Sequence, residues 1–183
     1  NDTVLENMKR LYTAQEYITQ ITKFKASIPN ITVMTDIIVG FPGESPEQFY
    51  DTLTVVRNTS PDAVNISRFW SRPNTPAARM KNIVEGSEIK RRSSVLTDIF
   101  HNIARMQNEK WIHWKGNIVI NENGKKEGQW IGRNSYYKQI IVEGNYTLGQ
   151  KVEVKIVKTD TFSLFANPTE KQKPKTVKLQ VFN

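Results

Sequence analysis

Ile31-Thr32-Val33-Met34-Thr35-Asp36-Ile37-Ile38-Val39 runs directly into Gly40-Phe41-Pro42-Gly43-Glu44 and then Ser45-Pro46-Glu47-Gln48. The first stretch is short, dense in β-branched residues and bounded by glycine, which predicts a buried strand over 31–39. Gly40 to Gly43 is a turn. Ser45, with Pro46 at the first helical position and Gln48 three residues after the serine, is a helix start, because hydroxyl and amide can each satisfy a backbone N–H that the helix leaves orphaned. A helix over 46–58 follows, with Phe49, Leu53 and Val56 on one side. Strand, glycine turn and helix in succession form the repeating unit of a parallel α/β fold.

The pattern continues on either side. Upstream, Thr13 and Glu16 make a capping box before the periodic set Tyr17, Ile18, Ile21 and Phe24, so a helix over 13–27 is expected, ended by Pro29 and Asn30. Downstream, Pro61 breaks the chain, Ala63 to Trp70 reads as a second strand, and Arg72-Pro73-Asn74-Thr75-Pro76 is a rigid loop. A long helix is expected from Ser87 to Trp114, with Ile89, Leu96, Ile99, Phe100 and Ile103 on its apolar stripe and Lys90, Arg91 and Arg92 off it. Two strands cannot make a robust sheet or close a barrel. Residues 1–114 therefore read as part of a larger α/β domain whose earlier strands lie upstream, an expectation that suits a chain starting at Asn1 without an initiator methionine.

After Gly116 the period changes from helical to two. Asn117–Asn121, Gln129–Gly132, Tyr137–Val142, Val152–Val157, Phe162–Ala166 and Thr176–Phe182 are short alternating segments, with turns at Asn123-Gly124, Gly144-Asn145 and Leu148-Gly149. Five or six antiparallel strands of this length predict an OB-like barrel over 115–183, giving an α/β domain followed by an all-β one. Formal charge is +8, and the carboxyl third holds most of it, with 12 basic against 6 acidic residues from Lys115 onward. There Lys125, Lys126, Arg133, Lys138 and Lys155 are interleaved with Trp130, Tyr136 and Tyr137, the combination of phosphate-neutralising and stacking groups that nucleic-acid binding uses. The competing reading is a basic solvated face over core aromatics.

Composition excludes much else. The chain has no cysteine, so it supplies no disulfide, thiol nucleophile, cysteine zinc site or thiolate-held iron–sulfur cluster. Its two histidines, His101 and His113, both fall in the long predicted helix, which argues against a Ser/His/Asp triad or a histidine-rich metal site. No apolar run approaches the length of a membrane span and no export signal is visible, so the cytoplasm is the expected compartment. A free-standing hydrolase or phosphate binder would need a nucleophile elbow, a P-loop or metal-ligand spacing, and none is present.

In parallel βα architectures ligands meet the carboxyl ends of strands, where Gly40 to Glu44 and Phe69 to Arg72 sit. Glycine at 40 and 43 would let a flat ring or a ribose approach the backbone, and Phe41 or Trp70 could wall an adenine pocket; the alternative is a plain strand-to-helix turn. Asp36 either points into a barrel lumen or hydrogen-bonds a neighbour, and Arg72 either meets an anionic substrate or pairs with Glu44.

Val39-Gly40-Phe41-Pro42-Gly43-Glu44, preceded by Thr35-Asp36-Ile37-Ile38, resembles a signature of the radical S-adenosylmethionine tRNA methylthiotransferases. Met8-Lys9-Arg10 with Tyr12-Thr13, Ser71-Arg72-Pro73-Asn74-Thr75-Pro76-Ala77-Ala78, and Gly132-Arg133-Asn134 with Tyr137-Lys138 are similar to further segments of that family, the last to its terminal TRAM barrel. Trp111-Ile112, Trp114-Lys115-Gly116 and Trp130-Ile131-Gly132-Arg133-Asn134 resemble most the archaeal and eukaryotic branch that acts on N6-threonylcarbamoyladenosine beside the tRNA anticodon. The resemblance implies a carboxyl-terminal fragment: residues 1–114 from the later part of a radical S-adenosylmethionine (β/α) barrel, residues 115–183 a TRAM RNA-binding barrel.

It implies S-adenosylmethionine held by Gly40, Phe41, Pro42, Gly43, Glu44, Phe69 and Trp70, and the anticodon stem-loop gripped by Arg133, Asn134, Tyr137 and Lys138 with Lys125 and Lys126. The family's two [4Fe–4S] clusters would be ligated by cysteines in the upstream part of the same protein, leaving this chain inactive alone. Asn74 stands where the family commonly has glycine; asparagine tolerates left-handed backbone, so the loop is expected to survive. The alternative is a non-enzymatic RNA-binding module on an incomplete α/β scaffold.

Overall fold

The computed structural model describes residues 1–169, which form two compact units, Asn1–Asn108 and the part from Glu109 onward. The first contains α1 (Asp2–Asn7), α2 (Ala14–Ser27), β1 (Met34–Val39), α3 (Pro46–Thr59), β2 (Ala63–Arg68) and α4 (Gly86–Glu109). Both expected capping boxes are made. Thr13 Oγ1 accepts from Glu16 N at 3.1 Å while Thr13 N donates to the Glu16 carboxylate at 2.7 Å, and Ser45 and Gln48 repeat the exchange at 3.2 and 2.9 Å. The starts of α2 and α3 thus follow from local chemistry alone.

β1 and β2 pair in parallel from Met34↔Ala63 to Val39↔Arg68. Val39, Phe49, Leu53, Val56 and Leu96 form the buried core, with Ile37, Ile66, Val95, Ile99 and Ile103 packed on it. β1 is not the doubly buried strand its composition predicts. α3 and α4 cover only the face that carries Ile37 and Val39, and period-two alternation leaves Met34, Asp36 and Ile38 exposed on the other. α4 stops at Glu109 rather than Trp114, and His113 lies beyond it at φ +68°. Arg92, expected off the apolar stripe, is 3% exposed and sits inside the unit. A larger (β/α) barrel is not present in these two strands; the closed barrel belongs to the second unit.

That barrel comprises β3 (Lys115–Asn123), β4 (Gln129–Arg133), β5 (Gln139–Glu143), β6 (Lys151–Thr159) and β7 (Leu164–Pro168), closed in the order β3-β4-β5-β7-β6. Alternate residues Ile118, Ile120, Ile140, Val142, Val152, Val154, Ile156, Leu164 and Ala166 fill it, joined by Trp111 and Tyr146. Gly132 faces the same interior, where a β-carbon would stand 2.8 Å from Ile118 Cδ1. Register shifts at Ile120/Glu122 in β3 and Ile156/Lys158 in β6 supply the local coiling that closure demands. One expectation is corrected: β5 and β7 pair in parallel, since closing a five-stranded sheet of this connectivity must bring two like-directed strands together. The segment Thr176–Phe182, expected as a strand, lies outside the described residues.

Candidate functional site

The turn after β1 is tied down from inside. Glu44 N donates to Phe41 O at 2.9 Å, closing the turn, and Gly43 N donates to Asn82 O at 2.6 Å. Glu44 is buried, and its Oε2 accepts both from Gly40 N at 2.8 Å and from Arg92 Nη1 at 2.9 Å. Arg92 also donates to Glu44 O at 3.0 Å and through Nε to Glu88 Oε1 at 2.8 Å, with its guanidinium 5.5 Å from the Phe49 ring centroid. Glu44 therefore pairs with Arg92, not with Arg72, which is exposed in the loop after β2.

Packing by itself demands glycine at position 40. At φ +78°, a β-carbon there would lie 2.4 Å from Ile89 Cγ1 of α4. Gly43, at φ +86°, has open space instead. Asn74 adopts φ +64°, so the loop keeps the left-handed position expected of it.

Above the turn, Phe41 meets Phe69 edge to face at 5.3 Å, and both line a groove with Met8, Lys9, Arg10 and Ile38. Trp70 is 83% exposed, so it walls no pocket among the described residues. The arrival of Lys9 and Arg10 beside Phe41 and Phe69 was not legible from spacing, because only tertiary contact brings α1's end to the strand termini. Asp36 accepts from Asn65 Nδ2 at 2.8 Å across the β1–β2 pair and lines, with Ile38, Tyr12 and Tyr17, a cavity on the face of β1 away from the core.

On the barrel, the loop between β4 and β5 holds most of the expected RNA contacts, but in unequal roles. Asn134 is buried; its Oδ1 accepts from Tyr136 N at 3.1 Å and Lys138 N at 2.9 Å, and its backbone O accepts from Tyr137 N at 3.0 Å. It builds the loop and is not exposed to a ligand. Lys138 is likewise corrected: it is 7% exposed, with Nζ 6.0 Å from the Trp111 ring centroid. Tyr137 is exposed, in the loop rather than on a strand, and Arg133 lays its guanidinium 4.5 Å from the ring while donating to Tyr137 O at 3.3 Å. Tyr136 packs on Trp111 at 5.4 Å, so one of the two adjacent tyrosines faces outward and the other inward. Lys125 and Lys126 are exposed in the β3–β4 loop, while Trp130 donates to Gly144 O at 3.1 Å as part of the barrel wall. Phe162, predicted to begin a strand, lies instead in the loop before β7 with its ring exposed.

A closed five-stranded barrel with basic loops defines the class. Residues 115–169 match the TRAM domain family. Over the chain as a whole, the threonylcarbamoyladenosine tRNA methylthiotransferase of Archaeoglobus fulgidus, named as probable, is 36% identical across 85% of this chain and 36% of its own length. The corresponding enzyme of Xenopus laevis is 32% identical across 93% of this chain and 30% of its own length. The tRNA-2-methylthio-N(6)-dimethylallyladenosine synthase of Alkaliphilus oremlandii is 34% identical across 90% of this chain and 35% of its own. The chain belongs to the tRNA methylthiotransferase family and spans about a third of the length of these relatives.

The Arg92 clamp makes two predictions. Arg92→Ala leaves the Glu44 carboxylate buried and unpaired and is expected to cost the first unit about 3–5 kcal/mol in urea unfolding; Arg91→Ala, at an exposed pair, is expected to shift the unfolding midpoint far less. Hydrogen bonds from Arg91 and Arg92 hold the Glu88 carboxyl at about 2, below the ordinary 4.5. A depressed folded-state value means that this contribution is complete above pH 4.5 and is lost as pH falls toward 2. Carbon-13 titration of Glu88 should show the low midpoint, and a midpoint at the ordinary value would contradict the clamp.

Proposed function

We propose that the chain is the part of a tRNA methylthiotransferase that grips the anticodon stem-loop and lines one side of the S-adenosylmethionine site, for methylthiolation of carbon 2 of N6-threonylcarbamoyladenosine in the cytoplasm. The observation that carries the RNA half is a closed TRAM barrel whose loops present Lys125, Lys126 and Tyr137, with half-buried Arg133 at the end of β4 lying over the Tyr137 ring. Lysine and arginine neutralise phosphates and the ring offers a stacking face. Asn134 and Lys138 act from inside, holding the loop that presents the other two.

For the cofactor, the groove of Phe41, Phe69 and Ile38 rimmed by Lys9 and Arg10 fits a ligand with a flat aromatic base and a carboxylate. S-adenosylmethionine would supply the methyl group there. Phe41, Pro42, Gly43 and Phe69 would bind, with Gly40 and Glu44 keeping the turn in shape through Ile89 and Arg92. Iron–sulfur clusters do not fit this chain's donors: it has no cysteine, and among the described residues no group of three or more histidine and acidic side chains is placed to hold a metal. No step through a cluster is assigned to these residues, and the two [4Fe–4S] clusters belong in this reading to the upstream part of the protein. No helix among the described residues is long and apolar enough to cross a membrane.

Titration of the chain with an anticodon stem-loop RNA across salt concentrations is expected to show affinity falling steeply with salt, and Arg133→Ala to flatten the log–log slope by about 0.7. Lys138→Ala should leave the slope unchanged while destabilising the barrel. Salt-independent binding would return the basic face to simple solvation. For the reaction, nucleoside mass spectrometry on tRNA from cells carrying the longer protein should find the methylthio group on N6-threonylcarbamoyladenosine. Its appearance on dimethylallyladenosine instead would reassign the substrate, and modification of neither would favour the non-enzymatic RNA-binding reading.

A further inference from the structure

Strand directions put two of the barrel's loops at one end. β4 ends and β5 begins there, and because β7 runs parallel to β5 and antiparallel to β6, β6 ends and β7 begins there too. β5 and β7 are neighbours, with Ile140 opposite Leu164. Tyr137 precedes Ile140 by three residues and Phe162 precedes Leu164 by two, so the two loop tips stand side by side on strands about 4.8 Å apart. Each ring is 64% exposed.

Both loops are built by the same device. As Asn134 Oδ1 accepts from two backbone N–H groups in the first loop, Asp160 Oδ1 accepts from Phe162 N at 2.9 Å and Ser163 N at 2.6 Å in the second, where Asp160 N also donates to Ser163 O at 2.9 Å. The rings are therefore presented on preordered turns, which lowers the entropy lost on binding. Tyr137 holds φ +65°, a conformation that costs a residue with a β-carbon energy that glycine would not pay, and such an outlier points to a use for the side chain. Arg133 lies over Tyr137, and on the neighbouring strands Lys158, near the end of β6, has Nζ 5.7 Å from the ring centroid of Phe165, three residues after Phe162.

We propose that Tyr137 and Phe162 form a two-ring platform on which two successive unpaired RNA bases stack, with Arg133 and Lys158 meeting the phosphates on either side. This rests on the RNA-binding reading above and extends it, adding Phe162 and Lys158 and specifying that the platform takes single-stranded loop nucleotides. A paired base is stacked within its own helix and offers no free face, whereas an unpaired base of any identity has one. Discrimination is accordingly for loop over duplex, not for sequence.

The test compares the full chain binding a stem-loop RNA that carries 2-aminopurine in the loop with binding of a fully paired RNA of the same composition. Tyr137→Ala and Phe162→Ala are each expected to weaken stem-loop binding about tenfold and to relieve the quenching of 2-aminopurine, while duplex binding and the salt slope stay as in the unsubstituted chain. Tyr137→Phe and Phe162→Trp, which keep a stacking face, should retain both affinity and quenching. Equal affinity for stem-loop and duplex, or alanine variants that match the unsubstituted chain while Arg133→Ala still weakens binding, would overturn the platform and leave the RNA-binding reading standing. Failure of the unsubstituted chain to bind either RNA at low salt would overturn both. Thermal unfolding of each variant shows that a loss of binding is not a loss of fold, since both rings are exposed.

Discussion

A guanidinium removed from water is tolerated only when its N–H groups find acceptors, and Arg92 meets that demand by gathering three separate parts of the first unit. It reaches the side chain and backbone of Glu44 in the turn after β1, Glu88 one turn earlier on α4, and the face of Phe49 on α3. The same Glu44 oxygen takes the Gly40 N–H, so the turn, the helix that follows it and the long helix packed over it are registered by one ion pair. Buried pairs of this kind contribute less to net stability than to the choice of a single arrangement, because desolvation offsets most of the attraction. Gly40 is the steric half of the same constraint: Ile89 occupies the space where a side chain would begin, so α4 can approach only if position 40 has none.

Fixing the turn has a consequence for the groove above it. Phe41 and Phe69 follow the ends of neighbouring parallel strands, and their edge-to-face contact is possible only while the turn keeps its shape. The residues that the family resemblance assigns to a cofactor thus divide by physical duty. Glu44 and Gly40 hold the backbone, and Phe41 and Phe69 line the groove. The barrel shows the same division. Asn134 and Lys138 are spent on building a loop, and Arg133 and Tyr137 are what that loop displays.

Much of this architecture was legible in the chain. Capping boxes at Thr13 and Ser45, the β-branched run into Gly40, and the shift to period two after Gly116 are local signals, and α2, α3, β1 and five barrel strands appear where they point. Most of the differences arise because residue type does not by itself fix exposure. Arg92 and Lys138 are charged, which predicts exposure; each is buried because a distant partner compensates it or a ring covers it. Met34 and Ile38 are apolar, which predicts burial; each is exposed because only one face of the two-stranded sheet is covered. Alternation among its neighbours predicts Phe162 as a strand residue, whereas Asp160 captures the backbone N–H groups of 162 and 163 and delays the strand to Leu164.

Sequence by itself determined where elements begin, which residues alternate inward, and that the carboxyl third carries a basic excess, because capping, periodicity and charge are properties of a few neighbouring residues. Tertiary structure alone decided which side chains meet. Arg92 lies 48 residues from Glu44, and Ile140 comes opposite Leu164 only because closing the barrel pairs β5 with β7 in parallel. No local pattern encodes either meeting. Each depends on burying the apolar faces of several elements at once, and that requirement is satisfied by the whole fold rather than by any segment of it.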